Sequence, residues 1–148
     1  MSKQYESLTE LIPVMEKDIY GGWNMQQKGD GTPDNPYVMP HVSFTPTVYS
    51  FLSEMARIEK QHPEFDWRNY MQYLVGRGYI SGLSQGFPIE ELQKVPIEKL
   101  TIEDVFMMYF AVQRTDRFCE GILLKFFKDG TILNWLKRVK ELDTEDNG

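Results

Sequence analysis

The chain has 148 residues, 41% of them hydrophobic and 26% charged, with 22 acids against 16 Lys and Arg for a net charge of −6. That length suits one core that buries about 70% of the unfolded surface, and the acidic balance argues against duplex DNA or RNA as a partner, since phosphates require clustered Lys and Arg. No apolar run approaches the roughly 20 residues of a membrane span, the opening MSKQYESLTEL lacks a signal-peptide core, and Cys119, the only cysteine, cannot close an internal disulfide. The expectation is a single soluble, cytoplasmic domain over residues 1–143 with a polar tail at 144–148, no nucleic acid and no membrane among its partners, and Cys119 as a small buried thiol.

Ser7 and Glu10 have capping-box spacing, and Leu8, Leu11, Ile12 and Met15 recur at helical intervals, which predicts a first helix over about 6–17, bent at Pro13. The segments IYGGWNM and YVMPHVSF read as two short antiparallel strands joined by the polar loop QQKGDGTPDNP, with Pro40 confining the second strand to an edge. Thr45 followed by Pro46 opens a helix to about Lys60 whose buried stripe is Val48, Phe51, Leu52, Met55 and Ile58. Asp66 can cap a third helix carrying Trp67, Tyr70, Met71 and Leu74, which stops at Gly76 or Gly78. The run GRGYISGLSQGFP is loop-like, and a short helix and a turn follow from Pro88 to Leu100.

Thr101 opens a helix to about Thr115. Ile102, Val105, Phe106, Tyr109 and Val112 form one face, and Met107, Met108 and Phe110 carry apolar surface round to the other, the mark of a central helix. A further helix is predicted over 117–128, closed by Gly130, and a last one from Thr131 that turns Ile132, Trp135, Leu136, Val139 and Leu142 inward, with Lys137, Arg138 and Lys140 complementing its dipole. The fold class is mostly α (α+β): a helical bundle with a small N-terminal antiparallel β-hairpin.

The run RTDRFCEGILLKFFKDGTILNWLKRV, from Arg114 to Val139, resembles the hallmark of an uncharacterised bacterial family of small proteins of unknown function. That pattern is an Arg, an acid, Arg-Phe, a small residue, an acid and Gly, then an apolar run ending in Gly and a Leu-rich helix. It falls here on Arg114, Asp116, Arg117, Phe118, Cys119, Glu120, Gly121 and Gly130. The N-terminal half is similar in layout, through the Pro-containing first helix, Gly22–Trp23 and GTPDNPYVMPHVSF, whereas residues 61–94 show no shared pattern. The resemblance implies a shared fold and a bacterial or phage setting. It supplies no catalytic residues.

Arg114, Asp116, Arg117 and Glu120 are the densest polar cluster in otherwise apolar sequence. Guanidinium groups are planar donors for phosphate or carboxylate, so the cluster is a candidate anion site; the competing account is an ion-pair network pinning a helix–helix junction. Trp23, Tyr37 and His41 flank the polar hairpin loop, where rings can stack on a planar ligand or pack the strands onto the helices. The acids Asp30 and Asp34 lack the EF-hand order, Cys119 with His41 or His62 carries no catalytic signature, and the glycines at 76, 78, 82 and 86 follow a helix rather than a strand. Neither a metal site nor a cofactor is expected.

These features point to a non-catalytic cytosolic binding module for a protein partner or an anionic, nucleotide-like small molecule, in a phage- or defence-related setting. The alternative is an enzyme acting on a phosphorylated substrate, with Asp116 or Glu120 as base and Arg114 or Arg117 stabilising charge. A third reading is a homo-oligomer joined through Met107, Met108 and Phe110.

Overall fold

The computed structural model describes residues 4–24, 29–36, 41–65, 67–81, 89–117 and 119–146. The chain runs α1 (Glu6–Thr9), α2 (Ile12–Met15), β1 (Gly21–Asn24), β2 (His41–Phe44), α3 (Pro46–Gln61), α4 (Tyr70–Gly76), α5 (Ile102–Asp116), α6 (Ile122–Lys128) and α7 (Thr131–Asp146), with 3₁₀ turns at Trp67–Asn69, Ile89–Lys94 and Ile97–Lys99. The mostly α reading and the small antiparallel hairpin both hold. Every residue from Asp104 to Val112 of α5 is buried, and α5 packs against α4, α6 and α7, so the core is built around the helix that the sequence marks as apolar on all sides. Met107, Met108 and Phe110 are 2%, 0% and 3% exposed, which overturns their expected role as an open oligomer face.

Local chemistry explains where the other expectations hold or fail. The predicted first helix is broken into α1 and α2, because Pro13 has no amide hydrogen to donate to the carbonyl of Thr9. The Ser7–Glu10 capping box does not form. Ser7 lies inside α1, and its hydroxyl donates to the Glu54 carboxylate at 2.9 Å. Thr45 does cap α3, its hydroxyl accepting the Val48 amide, and of the expected stripe Val48, Phe51, Met55 and Ile58 are buried while Leu52 is only partly so. The third helix begins as the 3₁₀ turn at Trp67 and becomes α4 at Tyr70; its predicted cap, Asp66, lies outside the described residues, as do Pro40 and residues 82–88. Of the apolar residues this segment carries, Trp67, Tyr70 and Leu74 are buried and Met71 is 37% exposed.

β1 and β2 pair antiparallel, with Gly21 opposite Phe44 and Trp23 opposite Val42. A Cβ at Gly21 would lie 2.1 Å from the Ser43 carbonyl oxygen, so only glycine permits this close approach. α7 continues to Asp146, so residues 144–146 of the predicted polar tail are helical, and residues 147–148 lie outside the described residues. Asp143 explains the extension: its buried carboxylate accepts the amides of Gln4 at 3.1 Å and Tyr5 at 3.0 Å, docking the helix end against the N-terminal segment. Because α7 runs on to Asp146, Lys137, Arg138 and Lys140 fall short of its last turn and do not complement its dipole as expected; Arg138 has a different role. It donates to the carbonyls of Leu100 and Glu98, both at 3.0 Å, and so fixes α7 to the turn before α5.

The registration of α4 on α5 is set by one buried acid. Asp104, 0% exposed, forms the capping box with Thr101 at the start of α5. Its carboxylate accepts Tyr73 Oη at 2.5 Å, Tyr79 Oη at 2.7 Å, the Thr101 amide at 3.0 Å, and a bidentate pair from Arg77 at 3.0 and 2.9 Å. Tyr73, Arg77 and Tyr79 all come from α4 or the turn after it, so a single side chain of α5 holds that whole segment. Burial pushes the Asp104 carboxyl up, but the bonds from Arg77, Tyr73, Thr101 and Tyr79 outweigh it, and the net displacement is downward.

Two outcomes follow for urea unfolding. Asp104→Ala strands two phenols and an amide, and should cost about 3–5 kcal/mol. Arg77→Ala should cost only about 1–2 kcal/mol, because the Arg77 side chain is 43% exposed and its interaction is screened by water. The pH dependence has a definite sign. A carboxyl whose folded pKa lies below the unfolded value, about 3.9, contributes stability that is present above that value and lost as pH falls through the folded pKa. Asp104→Asn should therefore flatten the fall in stability below about pH 4, and an unchanged acid limb would contradict the assignment.

Candidate functional site

The polar cluster of the sequence falls on the corner between α5 and α6. The predicted helix over 117–128 begins only at Ile122, because Gly121 takes φ +105°, a left-handed conformation that ends the preceding turn. Asp116 Oδ1 accepts the amides of Gly121 at 3.0 Å and Leu123 at 3.1 Å, satisfying donors that the start of α6 would otherwise leave open. Glu120 reaches across to the hairpin and accepts the Val42 amide at 2.8 Å. None of the ion pairs among the described residues joins two members of the cluster. The competing account, an ion-pair network, is thus not formed among the described residues: the two acids hold backbone amides, and neither Arg114 nor Arg117 pairs with a described acid. The sequence spacing was compatible with pairing, but backbone donors at a helix start compete for carboxylates over a shorter reach.

The two arginines differ in setting. Arg117 is exposed, whereas Arg114 is half-buried and lines an open groove of about 750 Å³ between α4, the Ile89–Lys94 turn and the α5–α6 corner. Tyr70, Met71, Ile89 and Ile122 give the groove its apolar wall. Its polar rim holds Glu90, Glu91, Lys94, Thr115 and Cys119 beside Arg114. The two acids are engaged elsewhere: Glu90 accepts from Lys125 Nζ at 3.0 Å, and Glu91 accepts the Ser81 amide at 2.8 Å and its hydroxyl at 2.9 Å. The side chains of Arg114 and Lys94 make no hydrogen bond or ion pair with another described residue, and both line the groove. Cys119 is exposed, contrary to expectation, since it sits in the turn after α5 rather than on a helix face.

The hairpin candidates lie apart from this groove. Trp23, 46% exposed, sets its indole against Gly121, where a Cβ would lie 2.7 Å from the ring, and with Leu124 and Lys128 it borders a second concavity of about 620 Å³. His41 is exposed at the start of β2, one residue before the amide that Glu120 accepts. Tyr37 lies outside the described residues. Asp116, Glu120, Trp23 and His41 therefore gather round the Gly121 corner, while Arg114 alone of the six described candidates lines the groove. Sequence reading missed Tyr70, Met71, Ile89 and Lys94 as groove residues. The available signal was α4 itself, which carries apolar residues on more than its inward face.

Among the described residues no group of three His, Cys, Asp or Glu side chains is placed to hold a metal ion, and no helix is long and apolar enough to cross a membrane. A model of a family of unknown function, DUF6508, matches residues 1–145. The chain belongs to this family. The DUF6508 match also spans residues 61–94, where the sequence alone showed no family pattern, so the Asp104 network and the groove lie inside the shared domain. No curated protein and no solved structure matches the chain.

In this DUF6508 chain the Gly121 corner is the joint between hairpin and helices, and it carries a direct test. Gly121→Ala should cost about 2–3 kcal/mol, roughly 1–2 from the left-handed backbone and the rest from the indole contact. With Trp23→Ala in the same chain, the cost of Gly121→Ala should fall to the backbone part alone; additive losses on denaturant unfolding would show that the two residues do not touch.

Proposed function

We propose that this protein is a non-catalytic binding module whose groove holds an anionic ligand with an apolar body, Arg114 taking the anionic group. The observation that carries this is the placement of Arg114: a half-buried arginine beside an apolar wall, with the neighbouring acids bonded to other groups. Guanidinium groups with open donors favour carboxylate, phosphate or sulfonate, and the apolar wall rewards a hydrophobic body on the same molecule. Lys94 adds a second cation at the rim.

The enzyme reading draws no support from these contacts, because Asp116 and Glu120, the acids it needs as a base, are bonded to backbone amides rather than lining the groove. Action in the cytoplasm, in a bacterial or phage setting, belongs to the same proposal; it rests on the lone unpaired cysteine and the resemblance in the Arg114–Val139 run.

The test is titration with 8-anilinonaphthalene-1-sulfonate, a fluorescent probe with an apolar body and one sulfonate. Wild-type protein should bind it saturably at one site. Arg114→Ala should weaken binding about 10- to 100-fold, the loss of one charge-assisted contact, at unchanged melting temperature. Binding that is absent in the wild type, or equal in both proteins, would contradict the proposal.

A further inference from the structure

Met71 and Val75 lie four residues apart on α4 and are 37% and 40% exposed, so they form one outward apolar strip. Met71 also lines the groove, and Val75 carries the strip one turn beyond it. The apolar surface offered by α4 thus outruns the groove, and a ligand confined to the groove would leave Val75 uncovered. The Asp104 network holds this helix in fixed register against α5, which makes the strip a rigid surface rather than a passing exposure. Charge is arranged across it: Lys94 and Arg114 stand at the groove with open donors, and the adjacent acids Glu90 and Glu91 are bonded to Lys125 and Ser81. Methionine is well suited to such a surface because its unbranched, polarizable chain adapts to varied apolar partners.

We infer that the groove and the outer strip of α4 together take a segment of another protein, an amphipathic stretch whose apolar side chains cover Met71, Val75, Ile89 and Ile122 and whose Asp or Glu side chain meets Arg114. This rests on the groove reading and narrows it: the anionic group is a carboxylate side chain, and the apolar body is the face of a peptide. Apolar anchors one helical turn apart, with an acid beside them, are the pattern by which grooves of this kind read a partner segment. A free small molecule would use Arg114 and the groove wall but would leave binding indifferent to Val75.

A random dodecapeptide display library, selected on the wild-type protein, separates the cases. Enriched peptides should share two apolar positions spaced by three or four residues and a nearby Asp or Glu. Their affinity should fall at least 10-fold on Arg114→Ala and on Val75→Glu, while Val75→Glu leaves anilinonaphthalene sulfonate binding and the melting temperature unchanged. No enrichment, or peptides indifferent to both substitutions, would overturn the inference. If the sulfonate probe still binds in that case, a small-molecule groove stands without a protein partner; if the probe fails as well, the groove reading falls with it.

Discussion

Removing an ionised carboxylate from water costs several kcal/mol unless partners replace its hydration on every side. Asp104 meets that demand with five donors, four of which come from α4 and the turn behind it. The geometry leaves little freedom, because a shift of either helix along the other would break bonds that the buried charge cannot do without. The same acid closes the capping box that starts α5, so one side chain fixes where the central helix begins and how its neighbour lies on it. Arg77 completes the set from the edge, half in water and stacked 5.4 Å from the centre of the Tyr79 ring. The groove follows from this arrangement, since its wall is made of α4 residues on one side and the end of α5 on the other.

The rest of the fold repeats the same device with backbone donors. Asp143 gathers two amides of the N-terminal segment onto the end of α7, Asp116 gathers two amides at the start of α6, and Glu120 takes one from β2. Much of the acidic excess in the composition is therefore diffuse surface charge, while a few acids act as clamps at joints between elements. Asp116 is spent on backbone amides, and Glu90 and Glu91 on the groove rim bond to Lys125 and Ser81, so Arg114 forms no ion pair with a described acid. A cation in that position is more useful for recognition than for stability, because its donors are satisfied by water until a ligand arrives.

Most of the helical architecture was legible in the sequence, and for physical reasons that can be named. Thr45–Pro46 and Thr101 are strong helix starts, and the all-round apolar pattern of α5 admits only a central place. What was not legible depended on long-range partners. Asp104 carries no local signal of its role, because its partners Tyr73, Arg77 and Tyr79 lie 25 to 31 residues away in a stretch that reads as helix end and loop. The cluster at 114–120 had the spacing of ion pairs, yet its acids chose backbone amides, one of them 78 residues distant. Cys119 lay in an apolar run but falls in the turn that Gly121 imposes. Of the site, Arg114 was visible as a candidate; the groove beside it was not, since it is assembled from three separate parts of the chain.

The most direct test of the central claim is a methyl NMR spectrum of the protein, labelled at isoleucine and methionine, recorded with and without 8-anilinonaphthalene-1-sulfonate. The methyls of Met71, Ile89 and Ile122 should shift together and saturably, while those of Ile58 and Ile132 in the core stay in place. Shifts confined to other methyls, or no shift at any concentration at which the probe is soluble, would contradict it.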